Sequence, residues 1–215
     1  MKKTILPLLL VLTAGPLLAQ KKAQQYPAPE FSNEIYFFNK DSIQAMRLEK
    51  GYSKAEAKTK MGGMGGGENA YQLEGSRSPV RLVSGTSLSF IFFSGDATAS
   101  SAQSDSIMKE NGMDPAAMEN PMDMLNDPSR STSLYSMNTE KGSRRITLHS
   151  YSGMKILGKS KKESTKYTLS IRKVKQGYYE LIVDKPLPRG EYAFLVMDSG
   201  MGMDGSSKLF AFGVD

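Results

Sequence analysis

Hydrophobic and polar positions alternate with period two along most of the chain. In TKYTLSIRKV, Tyr167, Leu169 and Ile171 alternate with Lys166, Thr168, Ser170 and Arg172, the signature of a strand with one face buried. GYYELIVD repeats the pattern through Tyr179, Leu181 and Val183. GEYAFLVM and KLFAFGVD are apolar on both faces, around Tyr192, Phe194, Val196, Phe210 and Phe212, which predicts central strands. Working toward the N-terminus, RRITLHSY, STSLYSM, LSFIFF, PVRLV, AYQLE, IQAMRLE and EIYFF bring the total to roughly ten strands. Turn signals such as LPRG separate them. With no long amphipathic helices between the strands, the pattern predicts an all-β fold, an antiparallel β-sandwich or open barrel.

Two stretches break the rhythm. Residues 94–127 are poor in aliphatic side chains and rich in Ser, Asp, Asn and Met; they read as one long insertion with short helical turns, since Asp114 before Pro115 and Asn120 before Pro121 each place a capping residue ahead of a first-turn proline. Ser53 to Asn69 is a second soft region, running into MGGMGGG.

At the start, a basic tip at Lys2 and Lys3 precedes an apolar run from Ile5 to Ala19, the layout of a secretory signal peptide cleaved after Ala19. The run is interrupted by Pro7, Gly15 and Pro16 and falls short of the ~20 residues of a membrane span. The expected organisation is a signal peptide over 1–19, a mobile lead-in over 20–32 and one β domain over 33–215, in the periplasm or secreted. The chain has no cysteine, which argues against a lipid anchor, disulfides and thiol chemistry.

Several phrases occur together: LEKGYSKAEAKTKMGGMGGGENAYQLEGSRSPVRL from Leu48 to Leu82, DPSRSTSLYSM from Asp127 to Met137, GEYAF at Gly190 and FGVD at Phe212. In these the chain resembles a loose group of exported β-rich proteins of Bacteroidetes-type bacteria. The resemblance spans most of the chain after Ala19 and implies a secreted β domain. It transfers no catalytic residue, and residues 94–127 depart from the group in length and methionine content.

Composition narrows the chemistry. With 28 basic and 22 acidic side chains the formal charge is +6, and removing Lys2 and Lys3 lowers it to +4 without leaving a basic tract, so nucleic acid is not an expected partner. The one histidine, His149, shares a strand face with Thr147 and Tyr151, opposite Ile146 and Leu148; it reads as an exposed strand residue and not as a catalytic base. One histidine and no cysteine do not assemble a zinc or blue-copper centre. Glu68, Glu74, Glu180 and Glu191 are scattered, and no spacing selects a pair for a carboxylate-based hydrolase. MGGMGGG lacks the lysine and hydroxyl of a phosphate loop. The methionines, 14 in all, cluster at Met61/Met64, Met118/Met122/Met124 and Met197/Met201/Met203, a soft ligand set for Cu(I) or simply filler. DSGMGMDGSS, with Asp198 and Asp204, does not fit a calcium-loop spacing and reads as a hairpin loop.

The remaining candidates are basic. Arg77 and Arg81 in SRSPVRL and Arg144 and Arg145 in GSRRITL are the expected binding residues for an anionic partner if their strands are neighbours. The functional expectation is therefore an exported domain without catalytic residues, metal or cofactor, which binds or scaffolds an envelope protein, glycan or anionic polymer. Periplasmic Cu(I) binding through the methionines is the first alternative, and the hydrolase the second.

Overall fold

The computed structural model describes residues 25–59, 67–85, 87–94, 110–112, 127–151, 163–197 and 206–215. Its elements are β1 (Glu34–Asn39), β2 (Gln44–Arg47), β3 (Glu49–Lys54), β4 (Glu56–Thr59), β5 (Gly67–Glu74), β6 (Arg81–Leu82), β7 (Ser89–Phe93), the single helical turn α1 (Pro128–Ser131), β8 (Thr132–Glu140), β9 (Ser143–Tyr151), β10 (Lys166–Tyr167), β11 (Leu169–Lys175), β12 (Tyr178–Val183), β13 (Gly190–Val196) and β14 (Ser206–Val214). The all-β expectation holds. Fourteen strands are described where about ten are legible from periodicity. The surplus is short: β4 pairs over four residues, and β6 and β10 over two each.

The strands form two layers. One is a five-stranded sheet in the order β11-β12-β7-β1-β2, antiparallel throughout. The other runs β3-β14-β13-β8-β9-β5-β4, with β10 on β8 and β6 parallel to β14. Its two ends belong to one ribbon, because β3 passes into β4 across Ala55 alone. Glu49–Lys54 pairs with β14 while Glu56–Thr59 pairs with β5, so the sheet curls into a nearly closed barrel. A bond from the Gln72 N–H to Ser53 Oγ, 2.8 Å, ties the seam. Gly51 permits the approach: a Cβ there would run into the Leu73 side chain. The β8–β9 hairpin turns at Lys141 and Gly142, both at positive φ (48° and 81°), as a tight two-residue turn requires. Past Arg145 the two strands separate, and Ser164 to Tyr167 fills the gap, the Ser164 N–H reaching Thr147 O and the Ser136 N–H reaching Thr165 O.

Strand alternation then sorts the core into three parts. Tyr71, Leu73, Met137, Ile146, Ala193, Leu195, Leu209 and Ala211 fill the barrel. The residues of opposite parity on β13 and β14, including Tyr192, Phe194, Phe210 and Phe212, pack against Ile35, Phe90, Phe92 and Leu181 of the five-stranded sheet. This explains why β13 and β14 are apolar on both faces: one face lines the barrel and the other meets the second layer. Phe90 is the centre of that contact, with ring centroids 4.9 Å from Phe194 and 5.0 Å from Phe212.

The third cluster, Tyr36, Phe38, Ile91 and Tyr178, lies on the outer face of the five-stranded sheet and is covered by Tyr26. The lead-in read as mobile is thus packed from Tyr26 onward. Ser53 to Thr59 and Gly67 to Asn69, read as soft, belong to β3, β4 and β5. Of the long insertion, residues 95–109 and 113–126, with their two proposed caps, lie outside the described residues. The same Asp-Pro logic is realised at its end, where Asp127 Oδ1 accepts from the Ser129 N–H at 2.8 Å and Pro128 opens α1. Among the described residues no helix is long and apolar enough to cross a membrane.

Candidate functional site

Three of the four arginines singled out in the sequence converge at one end of the barrel. Arg144, the second residue of β9, shares the inward parity of Ile146 and Leu148. Its side chain is only 1% exposed, and every bond it makes is internal. Nε donates to Gly75 O at 3.0 Å, Nη1 to Glu49 Oε2 at 2.7 Å, and Nη2 to Glu49 Oε1 at 2.6 Å and Glu74 O at 2.9 Å. Gly75, at φ 80°, makes the turn that points its carbonyl at the guanidinium. Two parallel bonds to one carboxylate are the strongest form of such a pair.

Beside it stands Glu191, the second residue of β13. Its Oε2 accepts from the buried Ser78 N–H at 2.8 Å and lies 3.9 Å from Arg144 Nη1. Arg81 lies across Gly213, in space that a Cβ there would occupy. It donates through Nη1 to Glu191 Oε1, and through Nε (3.0 Å) and Nη2 to the two oxygens of Asp215. Arg77 is the outermost member, 68% exposed, with Nη2 3.2 Å from Asp215 Oδ1. Three guanidiniums and three carboxylates therefore close the barrel as a charge-balanced plate.

The ionisations follow from these contacts. Burial pushes the Glu49 carboxyl up, but bonds from Arg144 and Ser78 and the guanidinium charge outweigh it, leaving Glu49 below the ordinary carboxylate value. Asp215 is held low chiefly by its bonds from Arg81, and Arg81 is raised chiefly by its bond to Asp215.

Arg145 does not join the plate. It points to the other face of β9, where Nη2 is 2.9 Å from Glu68 Oε1 and 3.7 Å from Glu56 Oε2. Two more buried carboxylates sit on the outer face of the five-stranded sheet. Glu180, with no exposed side chain, receives Ser89 Oγ and Lys40 Nζ at 3.0 Å on Oε1, and Tyr26 Oη at 2.9 Å and Arg172 Nε at 3.1 Å on Oε2. Glu34 receives Arg47 at 2.7 and 2.8 Å and Lys50 at 2.8 Å. In both, burial raises the carboxyl, and the bonds from the cations, joined at Glu180 by those from Tyr26 and Ser89, outweigh it and leave the carboxyl low.

The four glutamates weighed from sequence thus have separate settings: Glu180 outside the flat sheet, Glu191 in the plate, Glu68 with Arg145, and Glu74 offering its main-chain carbonyl. His149 is 70% exposed, with Nδ1 3.6 Å from Glu163 Oε1. Of the clustered methionines only Met197 is described, half exposed, its N–H on Ser131 O at 2.8 Å; the others, with Asp198 and Asp204, lie outside the described residues. Among the described residues no three His, Cys, Asp or Glu side chains are grouped to hold a metal.

Glu49 and Asp215 escaped sequence reasoning. The usable signal was parity: Arg144 is two residues from Ile146 and Glu191 two from Ala193, so both had to face inward and needed partners. Compared with family models, with curated proteins and with solved structures, the chain gives no match.

Proposed function

We propose that this chain is an exported, non-enzymatic β domain, periplasmic or secreted, that binds or scaffolds a component of the cell envelope. The observation that supports this most is how its buried charges are spent. A catalytic carboxylate or base keeps a lone pair or a proton free for substrate. Glu49, Glu34 and Glu180 instead have both oxygens engaged by protein donors, as suits a rigid frame. An anionic ligand would have to displace Asp215 or Glu191 to reach Arg81, and Arg144 is out of reach; of the predicted binding residues, Arg77 faces solvent.

The opposite end of the barrel is where the frame leaves room for recognition. Thr59, Gly67, Thr132, Tyr151, Val196 and Ser206 all lie there, at the strand ends farthest from the plate. Long connections leaving one end of a rigid barrel are a common setting for binding. The test is retention of the purified protein on envelope fractions of the bacterium that makes it. Saturable binding with the bound component recovered intact is expected; no saturable retention, or release of a cleaved product, contradicts the reading.

One observation favours Cu(I) as the second reading. The connections that contain Met61, Met64, Met118, Met122, Met124, Met201 and Met203 begin or end at those same strand termini. A titration with Cu(I) under reducing conditions separates the two readings. Stoichiometric uptake lost in Met201→Leu/Met203→Leu would favour copper handling, because Leu offers no lone pair.

A further inference from the structure

The outer face of the five-stranded sheet carries a second built site, unrelated to the barrel ends. Tyr26 lies on it with its ring stacked on Phe38 (centroids 5.4 Å apart, planes 30°) and edge-on to Tyr178 (5.7 Å, 72°). Its hydroxyl donates to the fully buried Glu180 and accepts from Arg172, whose guanidinium lies 5.9 Å from the ring centroid. The main chain is read as well: Tyr178 Oη donates to Pro27 O at 2.7 Å, and the Phe31 N–H donates to Tyr36 Oη at 3.0 Å. Arg47 covers the Phe31 ring at 4.6 Å.

A segment punctuated by Pro27 and Pro29, laid on aromatic rings, with one tyrosine hydroxyl donating to a main-chain carbonyl and another accepting from a main-chain N–H, resembles the way proline-rich peptides are recognised. The prolines fix φ in advance, so little freedom is lost on docking. Glu180 favours a hydroxyl-bearing ring, because the Tyr26 hydroxyl adds a donor to a buried carboxylate oxygen that Arg172 also serves.

We propose that this face is a receptor for a Tyr-Pro-x-Pro segment, and that residues 25–29 of a second copy occupy it by reciprocal exchange. The fitting sequence is the chain's own, identical in every copy, so exchange keeps the Tyr26 and Pro27 contacts and changes the reversal between Glu30 and Asn33, Phe31 included. That reversal depends on Asn33 in the left-handed region, φ 56°, a conformation that costs asparagine less than a β-branched residue, although Ile43 also adopts it here at φ 54°. Exchange of a segment about a short hinge is a low-cost route to dimers.

The test uses the full exported chain. Asn33→Val disfavours the fold-back in each copy and should raise the dimer association constant about tenfold or more in sedimentation velocity, while Tyr26→Ala/Asn33→Val returns to monomer. In parallel, a labelled peptide QQYPAPEF should bind Tyr26→Ala saturably, and the parent about tenfold or more weaker because its own segment competes; Tyr26→Leu serves as a second receptor variant if the alanine form does not fold. No saturable peptide binding to either receptor variant overturns the proposal. Peptide binding with a monomeric Asn33→Val also overturns it, by making the occupant a foreign segment and not a second copy.

Discussion

Arg144 grips Glu49 with two parallel bonds, 2.7 and 2.6 Å, although 95 residues separate them in the chain. The pair joins the first residue of β3 to the second of β9, two strands that share no ladder, and it does so where the apolar filling of the barrel ends. Burying an arginine is costly unless all its donors are met. Here the carbonyls of Gly75 and Glu74 supply what Glu49 does not. The plate therefore fixes the diameter of the barrel at this end, and Arg81 with Asp215 pins the last residues of β14 onto β6.

Acid should loosen the fold. Glu34, Glu49, Glu180 and Asp215 all have carboxyls lowered in the folded state. A lowered folded value means the unfolded chain takes up protons first, so the stabilisation is complete above the unfolded carboxyl range, about pH 4–4.5, and is lost as pH falls through the folded values. The urea midpoint should be level between about pH 7 and 5 and drop steadily below that. A midpoint that rises on acidification below about pH 4.5 would be incompatible with these pairs.

Gly213→Ala should destabilise by about 1–3 kcal/mol. The added methyl would occupy the position of the Arg81 guanidinium, forcing it off Glu191 and Asp215. The effect should nearly vanish in an Arg81→Ala background, where the space is free. Urea unfolding of the four proteins measures this; an equal cost in both backgrounds would place the strain in the backbone.

Phe90→Ala should cost about 3–5 kcal/mol. Phe90 is completely buried and touches the rings of Phe37, Phe194 and Phe212, so the cavity would open between the two layers. Phe93→Ala, on the partly exposed outer face, should cost less by the same measurement.

What was legible in the sequence followed from side-chain alternation. β13 and β14 declared themselves by being apolar on both faces, and β11 by its one-sided pattern; β12, whose alternation also suggests one wet face, is buried on both, with Tyr178 and Glu180 covered on the outer one. The β3–β4 ribbon did not. Its inward residues Gly51 and Ser53 are small because Leu73 fills the space opposite Gly51 and Ser53 Oγ meets the Gln72 N–H, and such a pattern has meaning only once the distant partner is known. The same holds for the arginines. Parity places Arg144 inside and Arg145 outside, but that Glu49 and Glu191 meet Arg144 depends on barrel closure, a non-local event with no short-range signature. Tyr26 was invisible for a related reason: YPAPEF has the composition of a linker, and only the aromatic face of the sheet makes it a ligand.

Arg144 and Glu49, each bonded to the other inside the barrel, form part of a frame and are not a patch kept free for a ligand. A double-mutant cycle tests it most directly: urea unfolding at neutral pH of the parent, Arg144→Met, Glu49→Gln and the double variant. Breaking a buried pair from one side strands a charge, so Arg144→Met should cost about 3–5 kcal/mol, with a coupling of about 2 kcal/mol or more between the sites. Single effects that simply add, within about 0.5 kcal/mol, would contradict it.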